Sequence, residues 1–194
     1  VDIGSTQAVN DQYKTNINVA LLVPSAADGV KKNDILPIGT TANVTLVTQP
    51  TAAQGVLVMN PDGSFTFTPT TGFVGTVTVT YLLSNTVTGG TSTATLTIIV
   101  NGPPLTPDDT VTTPEDTPIS FNPRGNDAEP NGDPTTTTIT TPPSHGTLVL
   151  VPDAPWIYTP APNYNGPDTA TYTTCDDSGL CSTGTINITV TPVN

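Results

Sequence analysis

The sequence predicts an all-β chain made of two β-sandwiches in tandem. Three observations carry that expectation. Threonine supplies 41 of the 194 residues, proline 21 and glycine 16; β-branched residues lose rotamer freedom in a helix, and Pro and Gly interrupt it. Segments such as Thr76-Val-Thr-Val-Thr-Tyr81 and Thr185-Ile-Asn-Ile-Thr-Val190 alternate with period two, so one face is apolar and the other is threonine. The second half also repeats the first without gaps at an offset of 91. Gly55-Val-Leu-Val-Met-Asn-Pro-Asp-Gly63 falls on Gly146-Thr-Leu-Val-Leu-Val-Pro-Asp-Ala154, and Phe65-Thr-Phe-Thr-Pro69 on Trp156-Ile-Tyr-Thr-Pro160. Phe73, Gly75 and Tyr81 then fall on Tyr164, Gly166 and Tyr172. Aromatic residues are exchanged for aromatic ones while Pro, Gly and Tyr persist, so the chain reads as two copies of one fold.

Within the second copy, turn signals every 8–12 residues delimit strands near 109–113, 117–122, 135–141, 147–151, 156–159, 168–174 and 182–191. Seven short strands of this kind are the pattern of a Greek-key sandwich. In the first copy Asn60-Pro-Asp-Gly63 joins two strands through a turn with Pro at its second position and Gly at its fourth. An insertion at about 24–42 separates that copy's second and third strands. Asn101-Gly-Pro-Pro-Leu-Thr-Pro107 reads as a short, stiff connection, because proline fixes φ. The expected domains are 1–103 and 104–194.

Charge divides the chain at the same place. Sixteen acids face four bases, a net charge of −12. Residues 1–103 hold five Asp against Lys14, Lys31 and Lys32; residues 104–194 hold nine Asp and two Glu against Arg124 alone. A nucleic-acid partner is excluded on this balance, since phosphate contacts need a basic face. No apolar run approaches the ~18 residues of a membrane span, and no signal peptide is present, which suits a cytosolic protein or a mature or excised segment.

The second copy resembles the bacterial cadherin-like, immunoglobulin-type repeats found in tandem in very large surface proteins. The residues that carry the resemblance are Asp108-Asp109, Pro114-Glu-Asp-Thr-Pro118, Gly125-Asn-Asp-Ala-Glu-Pro-Asn-Gly-Asp133, Pro142-Pro-Ser-His-Gly146, Tyr158-Thr-Pro-Ala-Pro-Asn-Tyr-Asn-Gly166, Tyr172 and Thr189-Val-Thr-Pro-Val-Asn194. The first copy keeps Asn10-Asp11, Asn33-Asp34 and the 55–81 block. It departs at Lys14-Thr-Asn-Ile17, where the Glu-Asp pair is expected, and after Asp34, where Ile-Leu-Pro replaces the acidic run. The resemblance implies an extracellular adhesive or structural array, two tandem Ig-like/cadherin-like sandwiches with calcium held by the acidic loops.

Topology gives a separate argument for a cation. With strands running alternately up and down, the connection shares one pole of the second copy with the loops after its second, fourth and sixth strands. Those loops carry Asp127, Glu129, Asn131 and Asp133, then Asp153, then Asp176 and Asp177, while Asp108 and Asp109 lie at the exit of the connection. Two unit charges about 4 Å apart cost roughly 1–4 kcal/mol in wet surroundings, so such a crowd needs a counter-ion. Ca²⁺ takes six to eight oxygens in flexible geometry, and Asp127-Ala-Glu-Pro-Asn-Gly132 places oxygen side chains at alternate positions before a Gly. Turn-forming Asp and Asn in solvated loops are the simpler alternative.

Cys175 and Cys181 bracket a short loop between neighbouring strands, which brings such residues to disulfide range. A disulfide implies an oxidising, extracellular setting; two buried thiols are the alternative. Asp109-Thr-Val111 and Asp168-Thr-Ala170 offer Thr110 and Thr169 as O-glycosylation acceptors, though threonine is common enough for chance matches. Catalysis finds little support. His145 is the lone histidine and sits in a Pro-Pro-Ser-His-Gly turn, and the close acid pairs lie in turn or metal-like contexts. Trp156, Tyr158 and Tyr164 could form a sugar platform, but their counterparts Phe65, Phe67 and Phe73 point to packing. The expected function is a structural tandem-repeat module of an extracellular bacterial adhesin or cell-surface fibre, stiffened by calcium at the inter-domain junction. The alternative is a filament subunit assembled by strand donation; a calcium-dependent sugar-binding module ranks third. Expected partners are neighbouring repeats or copies of the chain, with surface glycans or host and matrix proteins as further candidates.

Overall fold

In the computed structural model, residues 4–151 and 154–193 are described. The chain forms two compact units that meet at Gly102 and Pro103.

In the first unit, β1 (Asp11–Asn16), β7 (Thr91–Asn101), β6 (Gly75–Asn85) and β3 (Ala42–Leu46) form one sheet in that order. Against it lie β2 (Leu21–Val23), β5 (Phe65–Pro69) and β4 (Gly55–Met59). The second unit repeats this with β8 (Asp109–Pro114), β14 (Cys181–Thr191), β13 (Gly166–Asp176) and β10 (Thr135–Thr141). Its second sheet is β9 (Ile119–Phe121), β12 (Trp156–Pro160) and β11 (Gly146–Val149). First and last strands pair parallel in both units, β1 with β7 and β8 with β14; the remaining pairs are antiparallel. The two units are Ig-like, Greek-key sandwiches. Among the described residues no helix is long and apolar enough to cross a membrane.

Alternation decides what is inside. Along β6, Val77, Val79, Tyr81 and Leu83 point inward and meet Phe65 and Phe67 of the facing sheet. In the second unit Ala170 and Tyr172 meet Trp156 and Tyr158, and the Trp156 and Tyr172 rings pack edge-to-face with centroids 5.5 Å apart. Each side chain of this size contributes roughly 1.5–3 kcal/mol when buried. The aromatic triplets expected to pack do so: the first two of each are buried, and Phe73 and Tyr164 lie half-buried against the cores. Gly184 stands across from Tyr172, where a Cβ would come within 2.6 Å of the ring. The outward face is threonine, with Thr173 Oγ1 linked to Thr140 Oγ1 at 2.7 Å and to Thr183 Oγ1 at 3.0 Å. The Asn60–Gly63 turn closes through Gly63 N–H donating to Asn60 O at 2.9 Å, with Gly63 at φ +89°.

Candidate functional site

At the start of each sandwich a core tyrosine collects the acids. In the second unit, Tyr172 is fully buried on β13, and its hydroxyl lies 2.9 Å from Asp127 Oδ1, 3.3 Å from Asp109 Oδ2 and 3.3 Å from Pro123 O. Asp109 opens β8, and Asp127 follows the 3₁₀ turn Pro123–Gly125, which Asn122 caps by accepting from Arg124 N–H. The parallel pairing of β8 with β14 carries Asp109 to this point, 63 residues from Tyr172 in sequence. Burial pushes the Asp109 carboxyl up to about 6; the charges of Asp127 and Asp108 add to this, and the tyrosine hydrogen bond opposes it. Burial likewise raises Asp127, against the pull of Tyr172 and Arg124.

Asp127 also faces a cavity of about 170 Å³, lined with it by Pro104, Arg124, Ala128, Glu129, Thr135 and Thr174. Asp127 Oδ2 and Glu129 Oε2 are buried without a hydrogen-bond partner. The other Glu129 oxygen accepts from Asn131 N–H at 2.9 Å. Between the two acids, Ala128 exchanges both backbone hydrogen bonds with Leu105 of the connecting stretch, at 2.8 and 3.0 Å. Two orphaned carboxylate oxygens beside a small cavity are a donor set that suits a hard cation.

The remaining expected ligands are placed differently. Asp108 Oδ1 accepts from Thr185 N–H at 3.0 Å, pinning β8 to β14. Asp133 is half-buried just before β10. Asp176 ends β13, where its Oδ1 accepts from Ser178 and Leu180 N–H at 2.9 Å each, and Asp177 is exposed at the hairpin tip. Asp109 is level with Ile186 and hence with Ala170, while Asp176 lies six residues farther along β13, about 20 Å at 3.3 Å per residue. Asp109 and Asp176 therefore lie well apart along the strand direction of β13. Among the described residues no three His, Cys, Asp or Glu side chains form a metal-holding group. Asp153 lies outside the described residues.

Cys175 and Cys181 form a disulfide across the β13–β14 pairing. Thr110 and Thr169 are exposed and flank Asn187 in register on neighbouring strands. The aspartate preceding each is engaged in the fold. Asp109 is bound to Tyr172, and Asp168 accepts from Ser144, His145 and Thr169 N–H and from the Tyr158 hydroxyl, all at 2.9 Å. Burial raises the Asp168 carboxyl, but these donors outweigh it and hold the group below the usual carboxylate range. His145 is half exposed and stacks on Tyr164 with ring centroids 4.1 Å apart.

The first unit contains the same tyrosine hub, which the sequence reading had not assembled. Tyr81 is fully buried, and its hydroxyl lies 2.9 Å from Val9 O, 3.0 Å from Asp11 Oδ2, 3.2 Å from Asp34 Oδ1 and 3.3 Å from Val30 O. The usable signal was the persistence of Tyr81 and Tyr172 at constant offset together with the Asn10-Asp11 and Asn33-Asp34 pairs. At the other pole, Asp116 at φ +57° accepts from Asn163 N–H; in the first unit Asn18 at φ +60° accepts from Gly72 N–H, both at 2.8 Å. The counterpart of the Glu115-Asp116 pair is therefore Ile17-Asn18, one step beyond the expected Lys14–Ile17 segment, and its turn chemistry is retained.

The family described as "Bacterial Ig domain" matches residues 5–99 and 101–189. No curated protein sequence matches the chain. Among solved structures, the human desmocollin-1 ectodomain is 14% identical with a TM-score of 0.50, over 95% of this chain and 41% of its own. A protocadherin gamma B7 fragment of extracellular cadherin domains 1–4 is 15% identical with a TM-score of 0.42, over 97% of this chain and 51% of its own. An endo-fucoidan hydrolase of glycoside hydrolase family 107 is 18% identical with a TM-score of 0.39, over 95% of this chain and 28% of its own. The chain thus spans well under two thirds of these proteins, and at such identities the likeness concerns fold alone. With one family match on each seven-stranded sandwich, the chain belongs to the bacterial immunoglobulin-domain family, in two tandem copies.

Proposed function

We propose that the chain is a structural tandem-repeat module of an extracellular bacterial adhesin or cell-surface fibre, stiffened by calcium where the connection enters the second sandwich. The observation that carries this reading is the Leu105–Ala128 exchange of hydrogen bonds between two carboxylates with orphaned oxygens. A cation held by Asp127 and Glu129 would fix the loop to which the connection is tied. Asp109 supports Asp127 through the shared tyrosine, and Asn131 and Asp133 follow in the same loop. Calcium supplies a centre that several oxygens can share without protonation. The Cys175–Cys181 disulfide supports an oxidising, extracellular location. Thr110 and Thr169 are retained as O-glycosylation acceptors, and an intact mass equal to the bare 19.9 kDa chain would remove them.

Small-angle scattering and electron microscopy of the purified chain, with calcium and with chelator, test the reading. Monodisperse rods whose bending distribution narrows with calcium are expected. Helical fibres would assign the chain to a strand-donating filament instead, and bending unchanged by calcium would remove the stiffening role.

A further inference from the structure

The Tyr81 hub has too many acceptors. Val9 O, Val30 O, Asp11 Oδ2 and Asp34 Oδ1 surround one phenol oxygen, which carries a single proton. Ionised carboxylates accept only, so at any instant three of those four oxygens lack the tyrosine proton. Val9 N–H donates to Asp34 Oδ1 at 2.8 Å, which relieves one of them. Asp11 is 5% exposed, and its Oδ1, like Asp34 Oδ2, is buried without a partner. Sharing one hydroxyl holds the two carboxyl groups within about 6 Å of each other.

The charged groups around the pair do not settle it. Lys32 faces Asp11, but its ammonium group lies 4.3 Å over the Tyr13 ring. Lys31 faces Asp34, and its ammonium group donates to Ala42 O at 2.8 Å. The Asn33 amide donates to Asn10 O at 3.1 Å, and Asp28 adds a further negative charge near Tyr13. Burial dominates, pushing Asp11 up to about 6 and raising Asp34. A divalent cation fits poorly here. Two lysines flank the hub, and Leu36, packed against the core, stands where the second unit has Glu129. A proton converts one acceptor-only group into a donor and removes the repulsion, without needing more ligands.

We propose that Asp11 and Asp34 of the first sandwich share one buried proton, which ties the segments around Val9 and Val30 to Tyr81 and makes this unit a pH-responsive element. The sign follows from a carboxyl that binds its proton more tightly folded than unfolded. The stabilisation is complete below the unfolded value near 3.8 and is lost as pH rises through about 6. Between pH 7.5 and pH 4 the folding equilibrium of the first unit should gain about hundredfold, tenfold for each unit of that difference.

Calorimetry of the full chain at calcium-free pH values from 4 to 7.5 tests this, with the fluorescence of Trp156, the lone tryptophan, marking which transition belongs to the second unit. The first unit's transition should climb as pH falls, and Asp34→Asn should flatten that climb. A pH-independent first transition, or a climb that survives Asp34→Asn, would overturn the proposal. Because that variant could misfold, carboxyl-carbon NMR of the wild-type chain gives a second reading. A midpoint for Asp11 near 6 supports the shared proton, and one near the ordinary value contradicts it. Calcium raising the first transition at pH 7.5 would assign a cation to the hub and overturn the proton.

Discussion

Leu36 in the first sandwich stands where Glu129 stands in the second: each lies two residues after the aspartate that meets the core tyrosine. In each case the residue between exchanges backbone hydrogen bonds with the segment entering its sandwich, Ile35 with Gln7 and Ala128 with Leu105. One position thus separates a hub whose loop turns an apolar side chain into the core from one with a further carboxylate beside a cavity. Leu36 packs against the first core, so Leu36→Glu forces a charge onto apolar neighbours. A loss of about 2–3 kcal/mol in the first unit is expected, read from its urea midpoint.

Tyr172→Phe removes the hydroxyl shared by Asp109 and Asp127 and leaves the ring in place. The second unit should lose about 1–2 kcal/mol, with a lower urea midpoint followed through Trp156, whose ring packs on Tyr172. An unchanged midpoint would show that the hub contributes no stability.

Asp168 has the opposite pH sign to Asp11. Its folded carboxyl sits below the usual range, so its contribution is present above the unfolded value and fades as pH falls through the lower, folded one. The second unit should therefore weaken below about pH 4, and Asp168→Asn should remove that part of the acid sensitivity. At neutral pH the variant should cost about 2–3 kcal/mol, since four donors lose a charged acceptor. Acid titration of Trp156 fluorescence in both proteins measures it.

Reducing the Cys175–Cys181 disulfide frees a loop of sequence separation 6. A loop this short constrains the unfolded chain by about 2 kcal/mol, so the second unit's melting transition should fall on reduction while the first unit's stays. A shift in both would mean the units do not unfold independently.

Much of the fold was legible because alternation is a local signal. β10 was expected at 135–141 and runs Thr135–Thr141; β12, expected at 156–159, runs Trp156–Pro160. The tyrosine hub was not legible, because an inward tyrosine on an alternating strand looks like any core residue. Its role comes from the parallel pairing of first and last strands, which brings Asp11 to Tyr81 across 70 residues. Depth within the acidic pole was hidden for a related reason. Strand direction places loops at one end, but register decides depth, and β13 continues past Tyr172 to Asp176. Asp108 and Asp176 also do turn and strand-end work, accepting backbone N–H groups as short acidic side chains commonly do.

Under the proposed function, calcium binds at Asp127 and Glu129 and stabilises the second sandwich. The most direct test is the melting midpoint of Trp156 fluorescence with calcium and with chelator, in the wild-type chain and in Glu129→Leu, which installs the first unit's residue. The wild-type midpoint should lie several degrees higher with calcium, since a ligand at 100 times its dissociation constant adds about 2.7 kcal/mol, and the variant should show no difference. Identical wild-type curves with calcium and with chelator would contradict it.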